Sequence, residues 1–158
     1  MNNIKRIALC TLVFLACSNP ALKRGYGTTP DELGKAVVEA LNNNSETELH
    51  RLRADKTQYI NDLWPQFSSP GMTGEFAWGN LNKKCIRGTA KWLKTHGGQN
   101  LEFVRIAFTK PTEDYQTFKL RRGSILTVKN AKGTQMDLKI LGSVIEKDRY
   151  YRLLSYDD

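Results

Sequence analysis

Histidine, cysteine and the motifs that bind metals or phosphates are scarce in this sequence. The 158 residues include two histidines, His50 and His96, and three cysteines, and none of these shows a C-x-x-C or H-E-x-x-H spacing. A glycine-rich loop that could cradle phosphate groups is also missing. The sequence therefore predicts no metal site and no cofactor.

Long apolar runs are missing too, apart from one short run near the N-terminus. Residues 7–16 carry no charge and follow the cations Lys5 and Arg6. This run is about half of the roughly 20 residues that a membrane-spanning helix needs, and no later stretch is long and apolar enough. A basic start, a short apolar run and small residues at its end are typical of a secretory signal peptide, which we place at residues 1–16.

The end of the signal offers two cleavage sites. Phe14-Leu15-Ala16-Cys17 resembles a lipobox, in which the cysteine is diacylated and becomes the mature N-terminus, although Phe14 stands where leucine is commonest. The alternative is ordinary cleavage at the A-x-S arrangement of residues 16–18. We favour lipid attachment at Cys17 because of the lipobox resemblance. Either cleavage leaves Cys85 as a single thiol, so no disulfide is needed.

A short polar segment links this cysteine to the folded domain. Residues 17–28 show no periodicity, so we interpret them as a lipidated tether, followed by one domain over residues 29–158. Ser18, where an aspartate would signal retention, resembles the default of lipoproteins sorted to the outer membrane. The expected location is therefore the bacterial envelope, with the membrane as a partner through the lipid.

The charge of the chain is moderately positive. A formal net charge of +8 favours contact with anionic partners such as lipid headgroups, lipopolysaccharide or acidic polymers, and an ordinary solvated surface is the alternative. Nucleic-acid modules interleave basic and aromatic residues in recognisable motifs, and none is visible here. No nucleic-acid partner is predicted, and export also argues against one.

Helical periodicity dominates the first half of the mature chain. A helix begins after the Thr29 cap, with Pro30 in its first turn, and ends at the asparagines 42–44. A second begins near Glu46, breaks near residues 54–55 and resumes to about residue 64, before a proline. The third is predicted over residues 75–96, with a kink or break at Gly88-Thr89 left open.

The second half changes to the alternation of strands. Strands are predicted at residues 101–109, 117–120, 125–128, 135–144 and 149–155, with turns between them. Helices first and an antiparallel meander second indicate an α+β domain.

This order resembles the nuclear-transport-factor/ketosteroid-isomerase-like (cystatin-like cone) superfamily. The resemblance covers about residues 30–157 and rests on three segments, PDELGKAVVEALNNNS, ETELHRLRA and GTQMDLKILGSVIEKDRYYRLLSYD. It implies about three N-terminal helices packed on a curved, cone-like antiparallel sheet. Many small exported lipoproteins resemble this pattern, and an unrelated α+β fold is the alternative.

Catalytic residues are hard to find. Catalytic members of the superfamily place an aspartate, or an aspartate with a histidine, inside the cone. Asp62, just before an apolar Leu63-Trp64 pair, is the weak candidate here, since burial would raise its pKa toward general-base use. An exposed helix carboxylate is the alternative. His50 and His96 are interpreted as surface or cap residues, and Cys85 as a small buried hydrophobe.

Aromatic side chains are the most suggestive group. In a cone, residues from the helices and the sheet could line a pocket for a small apolar ligand, or they could simply fill the core. The candidates for such a pocket are Tyr59, Trp64, Trp78, Trp92, Phe103 and Phe108. Tyr150, Tyr151 and Tyr156 on the last strand leave a face for an envelope protein or a second copy of the chain, as in a homodimer.

The preferred function is therefore a membrane-anchored, non-catalytic domain that binds a ligand or a protein. Two alternatives remain: a small-molecule isomerase or hydrolase that uses a carboxylate inside the cone, and a purely structural envelope protein.

Overall fold

The computed structural model describes residues 25, 27–67 and 70–157. The predicted signal peptide and the lipid-attachment cysteine, Cys17, lie outside the described residues. Four helices occur in the described chain: α1 Pro30–Asn42, α2 Glu46–Arg51, α3 Lys56–Gln58 and α4 Gly74–His96. No helix in this part of the chain is long and apolar enough to cross a membrane.

The helix starts follow the capping pattern of the sequence. The side chains of Thr29, Ser45 and Thr73 accept hydrogen bonds from backbone N–H groups at the first turns of α1, α2 and α4. The expected break in the second helical segment lies at residues 52–55, where Asp55 caps α3. A π-helical turn at Tyr59–Leu63 and a 3₁₀ turn at Trp64–Gln66 follow directly.

The long helix α4 runs without interruption through Gly88 and Thr89, both of which are buried. A Cβ added at Gly88 would lie 2.9 Å from the backbone oxygen of Asp157 and from Cβ of Tyr156. Glycine at this position therefore serves close packing between α4 and the last strand. The kink or break left open at these residues does not occur.

Seven strands form two antiparallel groups. They are β1 Glu102–Phe108, β2 Glu113–Asp114, β3 Lys119–Arg122, β4 Ser124–Lys129, β5 Gln135–Leu138, β6 Leu141–Lys147 and β7 Tyr150–Tyr156. The hydrogen-bonded orders are β1-β4-β5 and β2-β3-β6-β7. The hairpin between β6 and β7 turns at Asp148 and Arg149, slightly later than the sequence indicated.

The two groups belong to one curved meander. Strands β3 and β4 follow each other across Gly123, whose φ of +65° suits glycine. Strand β3 pairs with β6 and β4 pairs with β5, and the registers of these two pairings differ by a single residue. The long β3–β4 and β5–β6 segments therefore form one bent ribbon, with β1 beside β4 and β7 beside β6.

The helices bury their apolar faces against this sheet in two clusters. The larger cluster joins α1, α2 and α4 to both strand groups and includes Leu33, Leu41 and Leu126. The smaller one lies around Tyr59, Leu63 and Phe118. The α+β prediction, with N-terminal helices packed on a curved antiparallel sheet, is confirmed.

The outer edge of β7 is covered by two pieces of backbone. Gly27 forms an antiparallel bridge with Tyr151, and Arg53 forms a parallel bridge with Leu153. These bridges occupy backbone groups that an open sheet edge would expose. Gly27, which lies in the segment interpreted as a tether, is therefore paired with the last strand.

Candidate functional site

A polar cleft of about 360 Å³ opens beside the π-helical turn. Its lining side chains are all polar or charged: Asp55, Thr57, Gln58, Asn61 and Asp62. They come from α3 and from the turn that follows it. In a π-helical turn the backbone bonds from i to i+5, which widens the helix, and such turns are frequent at functional sites.

Two cations on the β6–β7 hairpin contact this lining. Nη1 of Arg152 donates to Oε1 of Gln58 over 2.8 Å and lies 3.6 Å from Oδ2 of Asp55. Nζ of Lys147 lies 3.2 Å from Oδ2 of Asp62. Arg152 is only 8% exposed, so its charge is held largely out of water. The cleft is therefore lined by two carboxylates and by neutral hydroxyl and amide groups, and the two cations pair with this lining from β6 and β7.

Asp62 lies on the surface, and not in the interior where a general base would be expected. Its side chain is 44% exposed and paired with Lys147. Asp62 is thus the exposed helix carboxylate considered as the alternative, with Leu63 buried in the core and Asp62 paired with Lys147 on β6. Every aspartate and glutamate in the described part of the chain is at least partly exposed.

The six aromatic candidates do not line one pocket. Tyr59 packs against Trp64 and Trp78, with ring centroids 6.0 and 5.4 Å apart, in the smaller cluster. The other three, Trp92, Phe103 and Phe108, pack against the larger cluster. Phe67, Tyr115 and Phe118 extend the first group into a continuous set of ring contacts. Of these rings Tyr59 and Phe118 are buried, and the others are partly exposed and pack against the two clusters.

A second unusual charge lies in the interior. Arg53 is 5% exposed, and its Nε is buried without a hydrogen-bond partner. Its Nη1 and Nη2 contact Nδ1 of His50 at 3.0 Å and Oδ1 of Asn82 at 3.2 Å. The guanidinium also lies 5.7 Å from the ring centre of Trp78. Within the described residues no carboxylate pairs with it.

The remaining reactive side chains have structural surroundings. Nε2 of His50 lies 3.3 Å from Glu46, and His96 stacks on Trp92 at 5.7 Å. Cys85 is buried, with Sγ 3.8 Å from the carbonyl oxygen of Leu154. Complete burial raises the pKa of the Tyr156 hydroxyl well above 10. The described chain contains no group of three or more His, Cys, Asp or Glu residues that could hold a metal.

Sequence reasoning missed the two cations behind the cleft. Arg152 interrupts a strand whose later residues are all buried, and this charge within an apolar strand was the available signal. A cation placed there needs an acceptor from a neighbouring element, which Gln58 and Asp55 provide.

Comparison with known proteins gives no relative for this arrangement. No family model matches the chain, and no curated protein or solved structure is significantly similar to it.

Proposed function

We propose that the chain is an exported lipoprotein, anchored in the bacterial envelope through Cys17, whose domain binds a small polar ligand without catalysing a reaction. The observation that supports ligand binding is the cleft beside the π-helical turn, where the nearly buried Arg152 donates to Gln58 of the lining. A volume of about 360 Å³ falls within the range of small-molecule sites.

The lining indicates a ligand with a cationic group. Asp55 and Asp62 suit such a group, while Arg152 lies behind the lining, paired with Gln58 and Asp55. Thr57 and Asn61 add neutral donors and acceptors. This chemistry fits the ammonium group of a short peptide or an amino acid better than the apolar ligand expected from the aromatic residues.

The catalytic alternative has less support. It requires a carboxylate inside the cone, where desolvation makes it a stronger base. Asp62 lies on the outer surface in an ion pair, and the charged side chains that are buried within the described residues are Arg53 and Arg152. A binding role needs no proton transfer and agrees with this distribution.

The anchor has a direct test. Mass spectrometry of protein extracted from membranes should show an acylated N-terminal Cys17. Cys17→Ala should release the protein or trap it in its uncleaved form. A mature chain that begins at Asn19 and carries no lipid would contradict the anchor.

The ligand site is tested by NMR with two probes of similar size. We expect zwitterionic glycylglycine to shift the backbone amides of Thr57, Asn61 and Asp62, and neutral N-acetylglycinamide to leave them unchanged. Asp62→Asn should weaken binding about fivefold, the upper range for an exposed ion pair. The matched control is Asp114→Asn, which removes an exposed carboxylate 3.6 Å from Lys119. Equal shifts with both probes, or equal losses in both variants, would rule out the site.

A further inference from the structure

The outward face of α4 is strongly basic. From Gly74 to His96 this helix carries five lysines and arginines, Lys83, Lys84, Arg87, Lys91 and Lys94, and a single acidic residue, Glu75. Glu75 lies at the first turn and pairs with Lys56 over 2.7 Å. The rest of the helix therefore has no negative side chain to offset its cations.

The cations are arranged along one side of the helix. At 100° per residue, Lys83, Arg87 and Lys94 fall within a narrow sector, and Lys91 borders it. Cys85, Gly88 and Thr89 point the opposite way and are buried against the domain. Lys83, Lys91 and Lys94 have no carboxylate partner within the described residues, whereas Lys84 lies 3.8 Å from Asp157.

Exposed apolar side chains accompany these charges. The described residues include four exposed large hydrophobic residues, and three of them, Met72, Phe76 and Ile86, lie on α4 or just before it. Phe76 is 61% exposed and lies in the same sector of the helix as Lys83 and Lys94. It is about two turns nearer the N-terminus than Lys83. We call this surface, formed by Met72, Phe76, Lys83, Ile86, Arg87, Lys91 and Lys94, the α4 face.

We infer that the α4 face docks on an anionic lipid surface, with the lysines at the headgroups and Phe76 inserted at the interface. Cations beside exposed aromatic and aliphatic side chains are the combination that lets a helix lie on a bilayer. A soluble polyanion would engage the cations and leave the apolar residues without a role. The charge is complementary, since each basic residue near an anionic bilayer strengthens binding about fivefold.

The length of the tether makes this docking practical. This argument rests on the lipid anchor of the proposed function. Seven residues lie between Cys17 and Gly25, the first described residue, and the eight steps from one to the other span at most about 28 Å. The domain therefore stays within about its own diameter of the membrane. The diacylated cysteine anchors the chain stably and keeps the α4 face at a high local concentration near the bilayer, so that even weak docking of this face is favoured.

The test uses the mature chain from residue 17 with Cys17→Ser, so that no lipid contributes. Sedimentation should show binding to phosphatidylcholine vesicles that contain about one third phosphatidylglycerol, and much weaker binding to pure phosphatidylcholine. Binding should weaken as salt is added, because salt screens exposed charges. Replacing Lys83, Lys91 and Lys94 together with glutamine should weaken it about 100-fold. Phe76→Ser should remove most of the binding that remains at high salt.

The matched control replaces Lys110, Lys132 and Lys139 with glutamine. These three lysines are also exposed, but they lie outside the helices, in the connections of the sheet. Both triple variants lose the same charge, so equal losses would mean that net charge alone drives binding and would overturn the inference. Absence of binding to the anionic vesicles, including the case in which dextran sulfate is bound instead, would also overturn it. None of these outcomes depends on lipid attachment at Cys17, which mass spectrometry reports separately.

Discussion

Arg53 and His50 form a partly buried contact in which a guanidinium is held by an imidazole instead of a carboxylate. Nη1 of Arg53 lies 3.0 Å from Nδ1 of His50, which accepts its hydrogen bond. Nε2 of the same ring faces Glu46 at 3.3 Å. The His50 ring therefore bridges the exposed carboxylate of Glu46 and the interior guanidinium of Arg53. Its position in the sequence, beside Leu49, did not indicate this role.

His50→Ala should destabilise the fold by about 2 kcal/mol, because it leaves a buried cation with one acceptor fewer. In an Arg53→Met background the same substitution should cost much less, since no buried donor is then left unpaired. Urea unfolding of the wild type, both single variants and the double variant measures this coupling. A cost for His50→Ala that is equal in both backgrounds would contradict it.

Alkaline pH should weaken the fold through Tyr156. Its hydroxyl donates to the carbonyl oxygen of Leu49 over 2.7 Å, and burial raises its pKa well above the usual 10. The unfolded chain therefore loses this proton near pH 10 while the folded chain retains it. Stability is complete below pH 10 and falls as pH rises, by up to about 1.4 kcal/mol per unit for this group.

Tyr156→Phe should remove that component of the alkaline loss, as urea unfolding between pH 8 and pH 11 can show. The variant should also lose about 1 kcal/mol at neutral pH, from the missing hydrogen bond. The control is Tyr150→Phe, at a position 44% exposed, whose pH dependence should follow the wild type. An unchanged alkaline slope in Tyr156→Phe would disprove the assignment.

Two glycines within α4 should respond oppositely to alanine. At Gly88 a Cβ meets the backbone oxygen of Asp157 at 2.9 Å, so Gly88→Ala should destabilise by about 1–3 kcal/mol despite a better helix propensity. At Gly79 nothing lies within 4 Å of the added Cβ, and Gly79→Ala should stabilise by about 0.5–1 kcal/mol. Thermal unfolding compares the two, and changes of the same sign would contradict the packing argument.

Removal of residues 25–28 should weaken the domain. Gly27 exchanges two backbone hydrogen bonds with Tyr151, of 2.9 and 2.7 Å, and the backbone N–H of Thr28 donates to Glu32 over 2.7 Å. A chain that starts at residue 29 should be about 2 kcal/mol less stable than one that starts at residue 25. This counts about 1 kcal/mol for each of the two residue pairs, Gly27–Tyr151 and Thr28–Glu32. Equal melting temperatures would show that this edge contact contributes nothing.

The helices and strands could be predicted because local chemistry determines them. Thr29 and Pro30 mark a helix start in almost any context, and Gly97-Gly98 allows α4 to end. The alternation of residues in the second half likewise predicted strands. The bends of the ribbon at Gly123 and near Lys139 depend on which strands become neighbours, and no local pattern gives that information.

The candidate site was harder to predict for a specific reason. In a regular helix of about 3.6 residues per turn, the direction of the Asp62 side chain could be calculated from the sequence. The π-helical turn at Tyr59–Leu63 adds a residue and changes the directions of the side chains. The partners of Asp62 and Gln58 come from β6 and β7, more than 80 residues later in the chain. Contacts of that kind arise only from the complete fold.

Strand β7 also determines when folding can finish. Gly27, Arg53 and the buried side of α4 all contact this strand, in addition to its hairpin partner β6. Until residues 150–156 have been synthesised, each of these earlier segments lacks the surface on which it packs. Deletion of residues 150–156 should therefore leave Gly27, Arg53 and the buried side of α4 without the strand on which they pack.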